Sequence, residues 1–330
     1  NSSITVKMLL NHTSSLIDSE FYFEFLNATQ KDEIQPKISF LFLNDHNDDF
    51  FLDSIPGTFF SYSNINYSLL GVIIEKITKK RFDQYLDEII FQPLGIKGGF
   101  NLNEINYNNL STLYRNGAAQ MDDYLRQPNI NLESYILGEH TALFAPHSGC
   151  RITALDLLKL IDLFLNKGVY YDGKNYVRIL NSKTIDFMLN SSWRYNGLNG
   201  DNFLNLFNEW GLGLQITQHD TCLDKVLDNK TMYGHIGRAY GLLGDLFFDI
   251  EKNSGFVFLV NGYYNQDYLI GQESAFLKIE EEIFKLINTI FNIEAYESFN
   301  FFGKQVFHLK SRNMYFFKKN NFLLKNIYFD

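Results

Sequence analysis

The stretch PGTFFSYSNINYSLLGVIIEKITKKRFDQYLDEIIFQPLGI, residues 56–96, decides how this chain is read. Leu69, Leu70, Ile73, Ile74 and Ile77 recur at helical spacing. Phe82, Tyr85, Leu86, Ile89 and Ile90 continue the pattern until Pro93 and Gly95 stop it. The pattern predicts a helical hairpin. The turn ahead of it carries Tyr62 and Asn64, and a short turn feeding a helix N-terminus can hold two polar side chains rigidly in one cleft. A phenol serves as a general base only where neighbouring positive charge lowers its pKa from about 10, so Tyr62 needs a cation beside it. The plain alternative is that Tyr62 packs and Asn64 caps the helix.

Upstream, Thr5 precedes an apolar run, a helix start that breaks at the polar Asn11 to Ser15 turn. Asp45 to Asp49 reads as an acidic loop. The Asn-rich stretch from Gly98 to Glu139 has no firm periodicity and reads as surface loops. Thr153 and Asp156 form a capping-box-like start to a helix from Leu155 to Asn166, ended by Gly168. From Trp210 onward the runs GLGLQIT, YGLLGDLFFDI and GFVFLVNGYY are strand-like, with gaps suited to an antiparallel meander. Ile270 to Ile293 is expected as one amphipathic helix, with Phe276, Ile279, Ile283, Leu286, Ile287 and Ile290 on one face and Glu280 to Glu282 on another. The fold class is therefore α+β, with a helical part over about 1–205 and a sheet with its terminal helix over about 206–296. Residues 297–330 are a C-terminal extension of unassigned role that either adds strands or extends from the fold.

With 330 residues, 45% of them hydrophobic, the chain can bury a large core and form two lobes of one fold. A net charge of -9, with both signs spread along the sequence, speaks against nucleic acid as a partner. No apolar run approaches the roughly 20 residues of a membrane-spanning helix. Cys150 and Cys222 are the two cysteines; they form either one bridge or two unrelated thiols. The several NxS/T strings are expected by chance in so Asn-rich a chain. The chain begins at Asn1 without an initiator Met or a basic n-region, and the expectation drawn from this is a cut edge.

The 56–96 stretch resembles, nearly position by position, the segment that carries the YxN motif in class C β-lactamases, serine D-alanyl-D-alanine carboxypeptidases and related esterases. ITVKMLLNHTSSL is similar to the ITIRHLLTHTSGL segment of that superfamily, with Ser15 where Gly is usual. HSGCRITALDLLKLIDLFLNKG resembles its glycine-containing turn and following helix, and YGHIGRAYGLLGDLFFDIEKNSGFVFLVNG its HxG strand and neighbour. These segments occur in the family's order from Ile4 to Gly262.

The resemblance implies a β-lactamase/transpeptidase-like fold with the site in the cleft between a helical lobe and a flanked antiparallel sheet. It implies acyl transfer: a Ser attacks a carbonyl, the Lys of an SxxK motif and Tyr62 move its proton, and water cleaves the acyl-enzyme. His235 and Gly237 stand at the first and third positions of the motif that is often KTG. Gly237 would leave room for an acyl substrate along the strand edge. The N–H of Arg238 would donate to the developing oxyanion, and His235 would stabilise charge or assist proton movement. The Arg238 side chain is read as binding a substrate carboxylate or forming a surface ion pair.

No Lys in the chain has Ser or Thr three positions before it, so SxxK is absent. By resemblance the motif precedes ITVKMLLNHT, on a segment that also supplies a long helix and edge strands. The expectation is an N-terminally truncated member, poorly stable and inactive alone; the alternative is a non-catalytic paralogue that serves as a binding or assembly module. His12 is read as a structural hydrogen-bonding residue and His46 as part of a solvated loop lacking calcium-loop spacing. His140 and His147 belong to no zinc pattern, and neither metal nor cofactor is expected. The implied partner is a small acyl, peptide or ester substrate. The oligomeric state is left open, as is the compartment, although the resemblance favours an extracytoplasmic one.

Overall fold

The computed structural model describes residues 3–31, 36–42, 50–120, 132–217, 223–264, 269–292, 299–301, 304–309 and 314–318. His46, the acidic loop 45–49, Cys222 and the end of the tail lie outside them.

Helix α1 (Val6–Leu10) starts where the sequence places it, the Thr5 hydroxyl accepting the Met8 N–H. Helix α2 (Glu20–Lys31) brings Tyr22 and Phe25 into the core of the helical lobe. Helix α3 (Ile65–Thr78) ends on Lys79 in the left-handed conformation. The return arm of the hairpin is α4 (Phe82–Leu86), a π turn over Asp87–Phe91 and α5 (Gln92–Leu94), stopped by left-handed Gly95. Pro93 sits within this arm: proline lacks the N–H and crowds the carbonyl four residues back, and the wider turn before it relieves that clash.

Buried Glu75 on α3 fastens the hairpin to the loop beyond it. Its carboxylate accepts from the Phe82 and Gly138 N–H groups, the Tyr135 phenol and the Thr141 hydroxyl at 2.6–2.8 Å. Among the described residues between them the chain is mostly loop, as expected, apart from short helical turns and the two-residue strands β1 (Tyr114–Arg115) and β2 (Ala118–Ala119).

Helix α6 (Ala154–Leu165) is capped by Thr153, whose hydroxyl accepts from the Asp156 N–H at 3.0 Å. Gly168 after it has φ +86°, and a Cβ there would stand 2.1 Å from the Leu180 carbonyl oxygen, so that position requires glycine. Strands β3 (Val169–Tyr171) and β4 (Tyr176–Arg178) form a hairpin, followed by α7 (Ser182–Leu189).

The main sheet begins with β5 (Trp193–Arg194), β6 (Glu209–Trp210) and β7 (Gln215–Thr217). It continues through β8 (Met232–Ala239), β9 (Leu242–Asp249) and β10 (Ser254–Val260) as an antiparallel meander. Strand β11 (Gly262–Tyr263) leaves it to pair with β1. The tail adds β12 (Phe299–Phe301), β13 (Lys304–Leu309) and β14 (Met314–Lys318), and β14 pairs antiparallel with β10. The nine-stranded order is β12-β13-β14-β10-β9-β8-β7-β6-β5. Of the two readings left open for the tail, strand addition is the one observed over its described residues.

Alternation along the strands sends Phe247, Phe256 and Phe258 to one face, where they pack with Phe276, Ile283, Phe284 and Ile287. Phe248 and Val257 point to the other face, against Leu158 and Ile161 of α6 and Ile185 and Leu189 of α7. A third cluster, Leu9, Leu16, Tyr22, Phe25, Leu41, Phe50 and Ile65, forms the core of the helical lobe. Each such large side chain contributes roughly 1.5–3 kcal/mol on burial.

The terminal helix differs from expectation. Helix α8 spans Lys278–Asn292, starting eight residues after Ile270, because two carboxylates in its first turn take the preceding backbone donors. Glu280 accepts from the Leu277 N–H at 2.7 Å, and Glu281 from the Glu273 and Ser274 N–H groups at 3.0 and 3.2 Å. Both glutamates are buried.

Candidate active site

The YxN turn is fixed by a residue that sequence reading did not single out. Asp18, at the end of the NHTSSLID segment, accepts from the N–H groups of Asn64 and Ile65 at 2.9 and 3.0 Å. It also accepts from the Ser63 hydroxyl at 3.1 Å and the Asn64 side-chain amide at 2.7 Å. An anion at the start of α3 satisfies its free N–H groups and complements its dipole. Asn64 itself makes no side-chain cap, so the capping that the plain alternative gives it falls to Asp18. No local pattern marks Asp18, since its contact is made across 46 residues.

The Tyr62 ring is clamped between two others. His12 lies at 4.4 Å between centroids and Phe207, nearly parallel, at 5.4 Å. The His235 ring is 5.8 Å away, and Trp210 packs against both at 6.0 and 5.4 Å. The structure thus brings Tyr62 from the helical lobe and His235 from the sheet into one aromatic cluster.

Burial, with the Asp18 charge adding to it, pushes the Tyr62 phenol up to about 12. Burial likewise lowers His235, whose Nδ1 bonds the Ile236 carbonyl and therefore carries the proton. The lone pair of His235 is then on Nε2. His12 has the opposite tautomer: its Nδ1 accepts from the Ser63 N–H at 3.1 Å, which leaves the proton on Nε2. That Nε2 and the indole Nε1 of Trp210 are buried without a hydrogen-bond partner among the described residues.

Burial holds His12 down at about 3, with the nearby His235 adding to the effect. An unfolded His12 takes up a proton near its ordinary 6.5 while the folded one stays neutral. Its contribution to stability is therefore complete above about pH 6.5 and is lost as pH falls towards about 3. The stability difference between the wild type and His12→Gln should shrink between about pH 7 and about pH 4 in urea unfolding. A difference independent of pH would contradict the buried neutral imidazole.

Strand β8 offers an open edge where these rings meet. Its ladder with β7 runs from Thr217↔Met232 to Gln215↔Gly234, and the tight turn Gly211–Leu214, closed by a 2.8 Å bond, then carries the partner away. Among the described residues no strand pairs with that side of β8 from His235 to Ala239. Gly237 faces Gly244 on β9, whose carbonyl oxygen would be 3.0 Å from a Cβ at 237. Close strand packing is thus a second reason for glycine there.

Arg238 is committed within the protein. Its guanidinium forms two bonds to Glu280, at 3.1 and 2.5 Å, and Glu280 is wholly buried. Of the two roles considered for this side chain, an ion pair is found, made with a buried glutamate rather than at the surface. Asp245 is buried beside them; burial and then the Glu280 charge raise its carboxyl well above the ordinary range, with Arg238 opposing.

The remaining candidates lie in structural bonds. His140 Nδ1 accepts from the Ile136 N–H, and His147 Nδ1 lies 3.3 Å from the Ser68 hydroxyl. Cys150 is a free thiol, pushed up to about 12 by burial. Among the described residues no group of His, Cys, Asp and Glu could hold a metal ion, and no helix is long and apolar enough to cross a membrane.

The sequence pattern of the Beta-lactamase family matches residues 1–277, and the chain belongs to that family. A protein of Escherichia coli (strain K12) named "Putative D-alanyl-D-alanine carboxypeptidase" is 28% identical over 170 residues, 44% of this chain and 37% of the relative. The chain thus spans well under half the length of the curated relatives it matches. Among solved structures, a D-amino acid amidase from Ochrobactrum anthropi SV3, complexed with L-phenylalanine, superposes with TM-score 0.58 at 19% identity. The match covers 87% of this chain and 71% of that one. An octameric penicillin-binding protein homologue from Pyrococcus abyssi gives TM-score 0.53 at 22% identity, covering 78% and 52%. Both share the fold.

Proposed function

We propose that these residues form the tyrosine and histidine walls of an acyl-transfer site that hydrolyses small amides, peptides or esters by way of an acyl-enzyme. The observation that carries this reading is the meeting of the Tyr62 and His235 rings at 5.8 Å beside the open edge of β8. An acyl substrate laid along that edge would place its carbonyl near Gly237 and the Arg238 N–H, the oxyanion donor in this reading. Asn64, fixed by Asp18, would border the same cleft. Burial disfavours the charged form of His235, which leaves Nε2 to accept a proton or a hydrogen bond.

A Tyr62 phenol at about 12 is protonated at neutral pH and is no base by itself. A lysine of an SxxK segment would supply the cation that lowers it, and the serine of that segment would be the nucleophile. The names of the relatives point the substrate class towards D-amino-acid amides and peptides, and His235 in place of the lysine of KTG favours peptidase or esterase chemistry over antibiotic hydrolysis.

The second reading, a binding or assembly module, is favoured for the 330 residues by themselves by the lack of SxxK. One comparison separates the two. A nitrophenyl ester and a fluorescent penicillin are offered to this chain and to a polypeptide carrying an SxxK segment ahead of it. Hydrolysis or covalent labelling is expected only in the second, and equal behaviour of the two polypeptides would refute the acyl-transfer reading.

A further inference from the structure

Residues 203, 204 and 205 are consecutive, none is glycine, and all three have left-handed backbone, with φ of +50°, +57° and +72°. For Phe and Leu this conformation is unfavourable, and it persists only where the surroundings over-determine it. Here they do. Asn202 and Asn205 bond each other twice, side chain to side chain and side chain to backbone, both at 3.2 Å. Asn208 accepts from the Asn202 amide at 3.0 Å and donates to the Asn205 carbonyl at 2.8 Å. The Phe203 N–H is held by Asp201 at 2.9 Å, and the Phe207 N–H by the Asn202 carbonyl at 3.0 Å.

What this strained turn presents is apolar. Phe203 is 43% exposed and Leu204 75%, while Phe207, on the same turn, is buried against the face of Tyr62. The Phe203 ring meets Phe207 edge to face at 5.5 Å and Tyr62 at 6.4 Å, so the exposed pair is continuous with the site. A backbone held in an unfavourable form to keep a phenyl and an isobutyl group in water beside a candidate catalytic ring calls for a ligand group that covers them.

We propose that the 202–206 turn is a specificity subsite that receives an apolar side chain of aromatic size from the substrate, through Phe203 and Leu204. The inference rests on the acyl-transfer reading of the Tyr62 and His235 pocket and names the substrate class it prefers. A pocket of this kind discriminates by buried apolar area, so a benzyl side chain should outbind a methyl.

The test uses two probes, N-acetyl-D-phenylalanine methyl ester and N-acetyl-D-alanine methyl ester, with binding to the 330-residue chain followed by the fluorescence of Trp193 and Trp210. The phenylalanine ester should bind at least about tenfold more tightly. Phe203→Ala combined with Leu204→Ala should bring the two affinities within about twofold. Leu204→Ala alone, at a side chain too exposed to support the core, should remove part of the preference. Equal affinities in the wild type, no binding of either ester, or a preference unchanged in the variants would overturn the subsite. Failure of the acyl-transfer reading shows differently: both esters remain uncleaved by the SxxK-bearing polypeptide while the binding preference stands.

Discussion

Tyr62→Phe, made in a polypeptide that carries an SxxK segment, should lower kcat for a nitrophenyl ester by about 10²- to 10⁴-fold, the range for loss of a positioned proton-transfer group. The change removes one oxygen and keeps the ring that His12 and Phe207 clamp, so the fold should be unaffected. For a hydroxyl that acts on proton movement, as proposed, the loss should fall on kcat more than on KM. Loss of less than about threefold would mean that Tyr62 only packs, the plain alternative for a YxN turn.

Arg238→Ala should destabilise the fold by about 3–5 kcal/mol, the cost of stripping one partner from a buried pair. Glu280 would be left buried without its guanidinium, next to the Asp245 carboxyl. Replacing both partners, Arg238→Met with Glu280→Leu, should recover most of the loss, since a well-packed apolar pair has no charge to desolvate. Urea unfolding of the single and double variants measures both effects. A single variant within about 1 kcal/mol of wild type would show that the pair is solvated.

Sequence reading was strongest where local pattern and local physics coincide. The apolar period between Leu69 and Ile90, the Thr5 and Thr153 caps, and the strand-like runs after Trp210 all form the elements expected of them. It was weakest where long-range polar contacts override pattern. Helical spacing puts Glu280 and Glu281 on a different face of α8 from its apolar residues, yet one neutralises Arg238 on β8 and the other gathers backbone donors of the preceding turn. Asp18 holds the YxN turn across 46 residues, and nothing near it in the sequence marks that role. The left-handed turn at 203–205 was equally hidden, because Phe and Leu carry no signal for that conformation. Tyr62 and His235 could be nominated from motifs, but their separation is set by how the lobes pack, which no spacing along 173 residues encodes.

The central claim is that Tyr62 and His235 act within one site. A double-mutant cycle in the SxxK-bearing polypeptide, Tyr62→Phe against His235→Ala with kcat/KM for a nitrophenyl ester as readout, tests it most directly. Residues that act as a unit are strongly non-additive, so the double variant should be scarcely slower than the worse single one. Losses that simply multiply would place the two side chains in independent roles and contradict the account.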